Sequence, residues 1–374
     1  MYTPTTTRAD RARLAAGVLA LALGALAVPA SAASAAPGAV YTSTNSPAGN
    51  AVVAFARAAS GSLTPAGSFA TGGTGTGGGL GNQGAVGLSD DHNLLFVVNA
   101  GSNQITSFEV TPHGLRRADL VGSAGIEPVS LTVHGRLLYV LNAGGEGNIS
   151  GFQIARHGEL APLSGSTRSL SVPGSGPAEV SFNTDGSELV VTEKATNKVD
   201  IYAVGADGRA SGPVVDDSVG PTPFGFAFDK HDHLIVSEAF GGAAGQSALS
   251  SYNVSSDGTL DTISASIHTG QSAACWVVTT DNGKFAYTTN TGSGNISAYG
   301  VGHDGSLTLL DGGVSALTEA GPTDLALSES SHGLFVLNSG AHTIGAYRVG
   351  GDGGLAPVGV VGGLPGGATG LAAS

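Results

Sequence analysis

The sequence has a single cysteine, Cys275, so no disulfide can form within the chain. It is also poor in charge: Asp, Glu, Lys and Arg make up 11% of its 374 residues, with 28 acidic against 15 basic side chains and a formal net charge of -13. The lysines and arginines form no stripe, which speaks against nucleic acid as a partner. Beyond the N-terminus there is no long apolar run that would span a membrane as a helix. Helical periodicity is missing as well. Glycine, by contrast, is abundant: 61 residues without the triplet period of collagen, as suits a chain built from tight turns.

The glycines punctuate a repeat. The stretch 285–307, FAYTTNTGSGNISAYGVGHDGSL, reads as strand, short polar loop, strand, and an Asp304-Gly305 turn opening another strand. Apolar and polar residues alternate through both arms, as in half-buried antiparallel strands. Variants recur at 41–63, 95–115, 138–160, 189–208, 234–260 and 334–355, making seven copies. A spacing of about fifty residues, filled with strands, predicts one four-stranded blade per repeat. The expected fold is therefore all-β, a seven-bladed β-propeller of four-stranded antiparallel blades over 37–374. The first copy lacks an innermost strand of its own, and Ala368-Thr369-Gly370-Leu371-Ala372 at the C-terminus reads as the missing piece. Pairing the two ends closes the ring and removes two sheet edges.

Residues 1–36 read as a signal peptide. Arg8, Arg11 and Arg13 precede an apolar core from Leu14 to Val28, and Ala-Ser-Ala triplets follow as cleavage sites. Cleavage is expected between about residues 32 and 36, which gives a secreted, extracellular chain with no membrane anchor once the segment is removed, and a monomer.

Strand direction sorts the polar residues by face. In an up-and-down blade the innermost strand starts, and the second strand ends, on one face, here called the mouth face. Asn99, Asn142, Glu193, Glu238, Asn290 and Asn338 end second strands. Glu179, Phe224, Trp276 and Asp324 begin inner strands. A ligand site is expected there, at the mouth of the central channel. Glu179, Glu193 and Glu238 are the candidate catalytic set, because converging carboxylates raise one another's pKa and serve as general acid and base. The alternative is that they cap loops, as the asparagines at equivalent positions must. Asn99, Asn142, Lys194, Phe224, Trp276, Asn290, Asp324 and Asn338 are the candidate ligand-binding residues. Trp276 either stacks on a ligand or packs as an inner-strand aromatic, and Cys275 reads as a buried structural thiol. The ten histidines show no metal-ligand spacing, so neither metal nor cofactor is expected. The run TGGTGTGGGLG at 71–81 lacks the lysine and helix of a phosphate loop and reads as a flexible inter-blade loop on the mouth face. No Gly-x-Ser-x-Gly elbow is present.

The strand-plus-Asn phrases FAYTTN (ending at Asn290) and LYVLN (ending at Asn142) resemble those of the lactonase-type seven-bladed propellers, which include propeller 6-phosphogluconolactonases and carboxymuconate cyclase-like proteins. The resemblance extends over 39–374 and implies a lactone as substrate. In that family the catalytic blade tends to open with Gly-Pro-Arg-His and to end its second strand with Glu. Here the opening is Gly176-Pro177-Ala178-Glu179, and the glutamate is matched by Glu193, followed by Lys194. Asn82-Gln83-Gly84 stands where an earlier inner strand of the family starts with histidine. Without the phosphate-facing arginine, the implied substrate is an uncharged or weakly charged lactone, hydrolysed or isomerised. The other class of function is a non-catalytic propeller that holds a glycan, peptide or cell-envelope partner on the same face.

Overall fold

The computed structural model describes residues 38–374, together with Met1. The expected signal segment lies outside the described residues. Seven antiparallel sheets follow one another, each running outward from an inner strand. The inner strands of blades I to VII are Val86–Leu88, Ile126–His134, Pro177–Phe182, Pro223–Phe228, Ala274–Thr279, Pro322–Leu327 and Thr369–Ala373. In blades II and V the outermost strand is broken into two pieces that pair with the same third strand. The only helical pieces among the described residues are two three-residue 3-10 turns, Phe240–Gly242 and Asp311–Gly313. No helix there is long and apolar enough to cross a membrane.

Burial grades from the centre outward. Second strands such as Leu94–Asn99 and Leu234–Glu238 are buried along nearly their whole length. Outer strands such as Leu63–Ala70 are largely exposed. The half-buried pattern expected of both arms therefore does not hold for the second strands. Each blade packs face to face against two neighbours, so a strand near the hub is covered on both sides and reads as a continuous apolar run. Buried tyrosines clip blades together: Tyr139 donates to Gly208 O in blade III at 2.9 Å, and Tyr287 donates to Gly353 O in blade VI at 2.9 Å.

Closure of the ring is as the sequence predicts. Thr369–Ala373 lies antiparallel to Gly38–Ser43, with Tyr41 opposite Ala372 and Thr42 opposite Leu371. Beyond the ladder, Ser374 N–H donates to Ala39 O at 2.9 Å, and the Arg57 guanidinium holds Ser374 O at 2.9 and 3.1 Å.

Six inner strands share one irregularity. In blades II to VII a single extra residue interrupts the pairing near the start of the strand. In blade III, Pro177 faces Glu193 while Glu179 faces Thr192. This bulge re-aims the side chain that follows it. The bulge positions are Ser130, Glu179, Gly225, Trp276, Asp324 and Leu371.

Candidate functional site: a plugged central channel

The six second-strand residues do not converge on the channel mouth. Each is 0% exposed and hydrogen-bonded to its own blade or to a segment beside it. Asn290 donates to Asn295 Oδ1 and Ser297 Oγ, both at 2.8 Å, and Asn338 donates to Thr343 Oγ1 at 3.1 Å. Asn142 donates to Ser123 O and Asn148 Oδ1, and Asn99 joins Thr71, Asn50 and Thr106. Glu238 is bound by three donors: Gly220 N–H at 2.8 Å and the hydroxyls of Ser250 and Ser266 at 2.5 Å each. Glu193 accepts from Ser171 N–H at 3.1 Å, from the Ser171 hydroxyl, and from Thr196 Oγ1 at 2.6 Å.

Pairing explains the outcome. Side chains alternate across a strand, so with Glu179 opposite Thr192, Glu193 leaves by the other face of the blade. Thr192 and Glu179 both point toward blade IV, where they bond Phe224 O and Phe226 N–H. The acid beside Glu193 is instead Asp200, on the third strand, which shares the Ser171 N–H with it. Burial, reinforced by the Glu193 charge, pushes Asp200 up to about 8. The expected meeting of Glu179, Glu193 and Glu238 is therefore not found; the last two cap strands, a role that backbone and hydroxyl donors explain in full. Glu238→Gln leaves the Ser266 hydroxyl or its partner mismatched in a dry site. It should cost about 1–3 kcal/mol in a denaturant unfolding curve with no change in ligand chemistry. An unchanged midpoint would contradict the capping role.

The mouth itself is filled. The Gly-rich run, expected to be flexible, is tied to the loop after the first strand of the chain. Gly75 and Gly77 N–H groups donate to Ser46 O and Asn45 O at 2.8 Å, and Asn45 Nδ2 donates to Gly78 O at 2.7 Å. A Cβ on Gly75 would lie 2.1 Å from Asn45 C, so only glycine fits. The run delivers Asn82 and Gln83 into the channel. Gln83 N–H donates to Ala178 O at 3.0 Å; its side-chain amide donates to Val277 O at 2.8 Å and accepts from Val277 N–H at 2.9 Å. Asn82 Nδ2 bonds Val129 O, its carbonyl takes the Trp276 indole N–H, and Thr369 Oγ1 reaches its Oδ1 at 3.3 Å. Gly225 leaves room for this plug, since a Cβ there would lie 2.1 Å from Gln83 Oε1. Trp276 is thus a packed, hydrogen-bonded wall residue.

Below the plug the channel opens toward the face that carries the Asp-Gly turns. A cavity of about 400 Å³ is lined by Gln83, Glu179, Thr184, Phe226, Phe228 and Thr279, among others. Glu179 is the carboxyl on its wall, 6% exposed, with Oε2 accepting from Phe226 N–H at 2.7 Å. Burial raises its pKa well above the carboxylate range; the Phe226 bond opposes this and the Asp324 charge adds to it. Asp324 occupies the same bulge position three blades on. It is 3% exposed, accepts from its neighbour's Leu325 N–H at 3.0 Å through Oδ1, and has no partner for Oδ2. Burial raises its pKa strongly too. Among the described residues no three His, Cys, Asp or Glu side chains stand close enough to hold a metal.

On the mouth face Lys194, Phe224 and Trp276 do come together. Lys194 Nζ sits 4.7 Å from the Phe224 ring centre, and that ring meets Trp276 at 5.1 Å. Sequence reasoning missed Asn82, Gln83 and Asp200. The signal for Gln83 was its place at the start of an inner strand where the resembling enzymes carry histidine.

Fold and site together define a single-ended propeller with an acid-bearing channel. The family model described as "Lactonase, 7-bladed beta-propeller" matches residues 243–362, so the resemblance to lactonase-type seven-bladed propellers holds for this chain. No curated protein matches it. Solved structures share the fold across the ring. A putative 6-phosphogluconolactonase from Bacteroides fragilis is 17% identical with a TM-score of 0.70, covering 90% of this chain and 98% of its own. A protein from Lactobacillus plantarum is 17% identical at 0.72, with 90% and 99% covered. The periplasmic gluconolactonase PpgL from Pseudomonas aeruginosa is 18% identical at 0.68, with 88% and 98% covered.

Proposed function

We propose that this protein is a secreted, lactonase-like propeller that takes an uncharged lactone into the channel cavity, with Glu179 as its proton-transferring group. The observation that carries this reading is the position of Glu179. It lines the cavity, and it stands where the resembling enzymes place a histidine. Burial favours its protonated form, and in that form it is a hydrogen-bond donor. Donation to a lactone carbonyl draws charge from the acyl carbon. Water then adds to that carbon and the ring oxygen leaves with a proton, giving the open hydroxy acid. Phe226 and Phe228 offer apolar cover, and the Thr184 and Thr279 hydroxyls, which donate to Asp232 Oδ1 and Phe228 O, can accept from ring substituents. No arginine is among the lining residues, which fits an uncharged substrate.

The test is a panel of uncharged lactones against the wild type and Glu179→Gln, which keeps the acceptor for Phe226 N–H. Turnover should fall on the order of a hundredfold, with no loss of melting temperature. Undiminished hydrolysis in the variant would remove Glu179 from the mechanism. A second reading, a propeller that binds without catalysis, is favoured by one fact: Glu179 Oε2 and the Gln83 amide are already engaged with backbone. Saturable binding of a lactone or sugar without hydrolysis would decide for it.

A further inference from the structure

The groove between blades VI and VII, on the face that carries the Asp-Gly turns, holds another cavity, of about 240 Å³, that the channel chemistry does not use. Its basic lining residues are Arg57, Arg348 and His332, and no Asp or Glu is among the others. Strand pattern places the two arginines. Ile344 and Ala346, on the third strand of blade VI, Thr343–Val349, pack in one cluster with Phe55, on the third strand of blade VII, Ala51–Arg57. Side chains two apart share a strand face, so Arg348 follows Ile344 and Ala346 toward blade VII, and Arg57 follows Phe55 toward blade VI. The two arginines thus line one groove from opposite walls. Arg57 is held there by Ser374 O. Arg348 is exposed and has no ion pair or side-chain hydrogen bond among the described residues. The groove between blades I and II is built differently: Arg136 and Arg156 line it, but so do Asp90 and Asp91.

Like charges on facing walls with no carboxylate beside them repel, and an anion between them removes that cost. A chain with 28 acidic and 15 basic residues does not arrive at such a groove by composition alone. We propose that this groove binds a small organic acid by its carboxylate, with Arg348 as the fork that grips it and Arg57 as a second positive charge facing it. A planar guanidinium matches a carboxylate through parallel N–H bonds. Arg57, already fixed by backbone, has its charge in place before the ligand arrives, so little freedom is lost there on binding. Val358, which packs on the blade VI–VII cluster, and Ala59 supply apolar wall for the rest of the molecule. A bare inorganic oxyanion would use the arginines and leave that wall uncovered.

The test titrates the full chain with benzoate at neutral pH and fixed ionic strength, followed by ligand-observed NMR. Saturable binding with a Kd on the order of a millimolar is expected for a ligand of this size. Benzamide keeps the ring and lacks the charge, so it should bind on the order of tenfold more weakly. Arg348→Gln should weaken benzoate by a similar factor, because hydrogen bonds to charged groups are the stronger ones. The exposed position of Arg348 lets this variant fold as the wild type does. Arg348→Lys keeps the charge without the fork and should fall between the two. Arg156→Gln, in the groove that has its own acids, should bind benzoate as the wild type does. No saturable binding of benzoate by the wild type, or undiminished binding by Arg348→Gln, would overturn the proposal. An equal loss in Arg156→Gln would overturn it too, since the attraction would then belong to the surface at large. Inorganic phosphate binding more tightly than benzoate would overturn the assignment to an organic acid.

Discussion

Deleting 369–374 should abolish the cooperative unfolding of this propeller. The segment supplies the inner strand of blade VII and touches both neighbours. Leu371, Ala372 and Ala373 belong to two of the hydrophobic clusters. Thr369 also bonds the plug through Asn82. Burial of one leucine contributes about 1.5–3 kcal/mol, and each buried backbone group left unpaired costs about 1–3 kcal/mol. With the register of Gly38–Ser43 exposed along its whole length, the loss rivals a typical net stability of about 5–15 kcal/mol. The truncated chain should be insoluble, or melt without a sharp transition in calorimetry. Leu371→Ala is the milder arm, expected to cost about 2–5 kcal/mol. A truncated chain that melts within a few degrees of the intact one would refute the closure argument.

The second large effect is with pH. Glu179, Asp324 and Asp200 all have folded pKa values raised by burial. A carboxyl whose folded pKa lies above its unfolded value binds its proton more tightly in the native state. Its contribution to stability is complete below the unfolded value near 4 and is lost as pH rises toward the folded value. For Asp200 the window runs from about 4 to about 8. Acids with lowered pKa, such as Asp185 and Asp304 in the Asp-Gly turns, act in the opposite sense below about pH 4, but they are exposed and contribute little. The melting temperature should therefore be highest near pH 4–5 and fall by on the order of 5–10 °C by pH 8. Asp200→Asn mimics the protonated acid, so it should flatten part of that slope and raise the melting temperature at pH 8. Thermal scans across this range decide the matter; a melting temperature that climbs from pH 5 to pH 8 would be incompatible with protonated buried acids.

The ring was legible in the sequence because its signals are local and repeated. Asp-Gly turns, Pro before inner strands and an unpaired first copy each follow from nearest-neighbour chemistry. The site was less so. Glu193 and Glu238 were visible as exceptions to the asparagine at the end of each second strand, but which way they point depends on the bulge in the inner strand beside them. One extra residue reverses the face of every side chain beyond it, and nothing in Gly176-Pro177-Ala178-Glu179 announces it. The plug was hidden for another reason. Asn82 and Gln83 bind backbone of blades II, III and V, contacts that no periodicity encodes. Lys194, Phe224 and Trp276 meet because all three lie at strand ends on one face, where direction matters less than position.

The plug also alters how such a ring can come apart. In an array of repeats where each unit touches only the next, stability is a sum of neighbour terms and the ends unravel first. Asn82 and Gln83 act as the axle of a wheel, with spokes to Val129, Ala178, Val277 and Thr369 on four different blades. Loosening any one of those blades withdraws a spoke from a hub that the other three share. Partial opening, blade by blade, is penalised at the centre as well as along the rim, and local damage anywhere in the circle is felt by segments that never touch it.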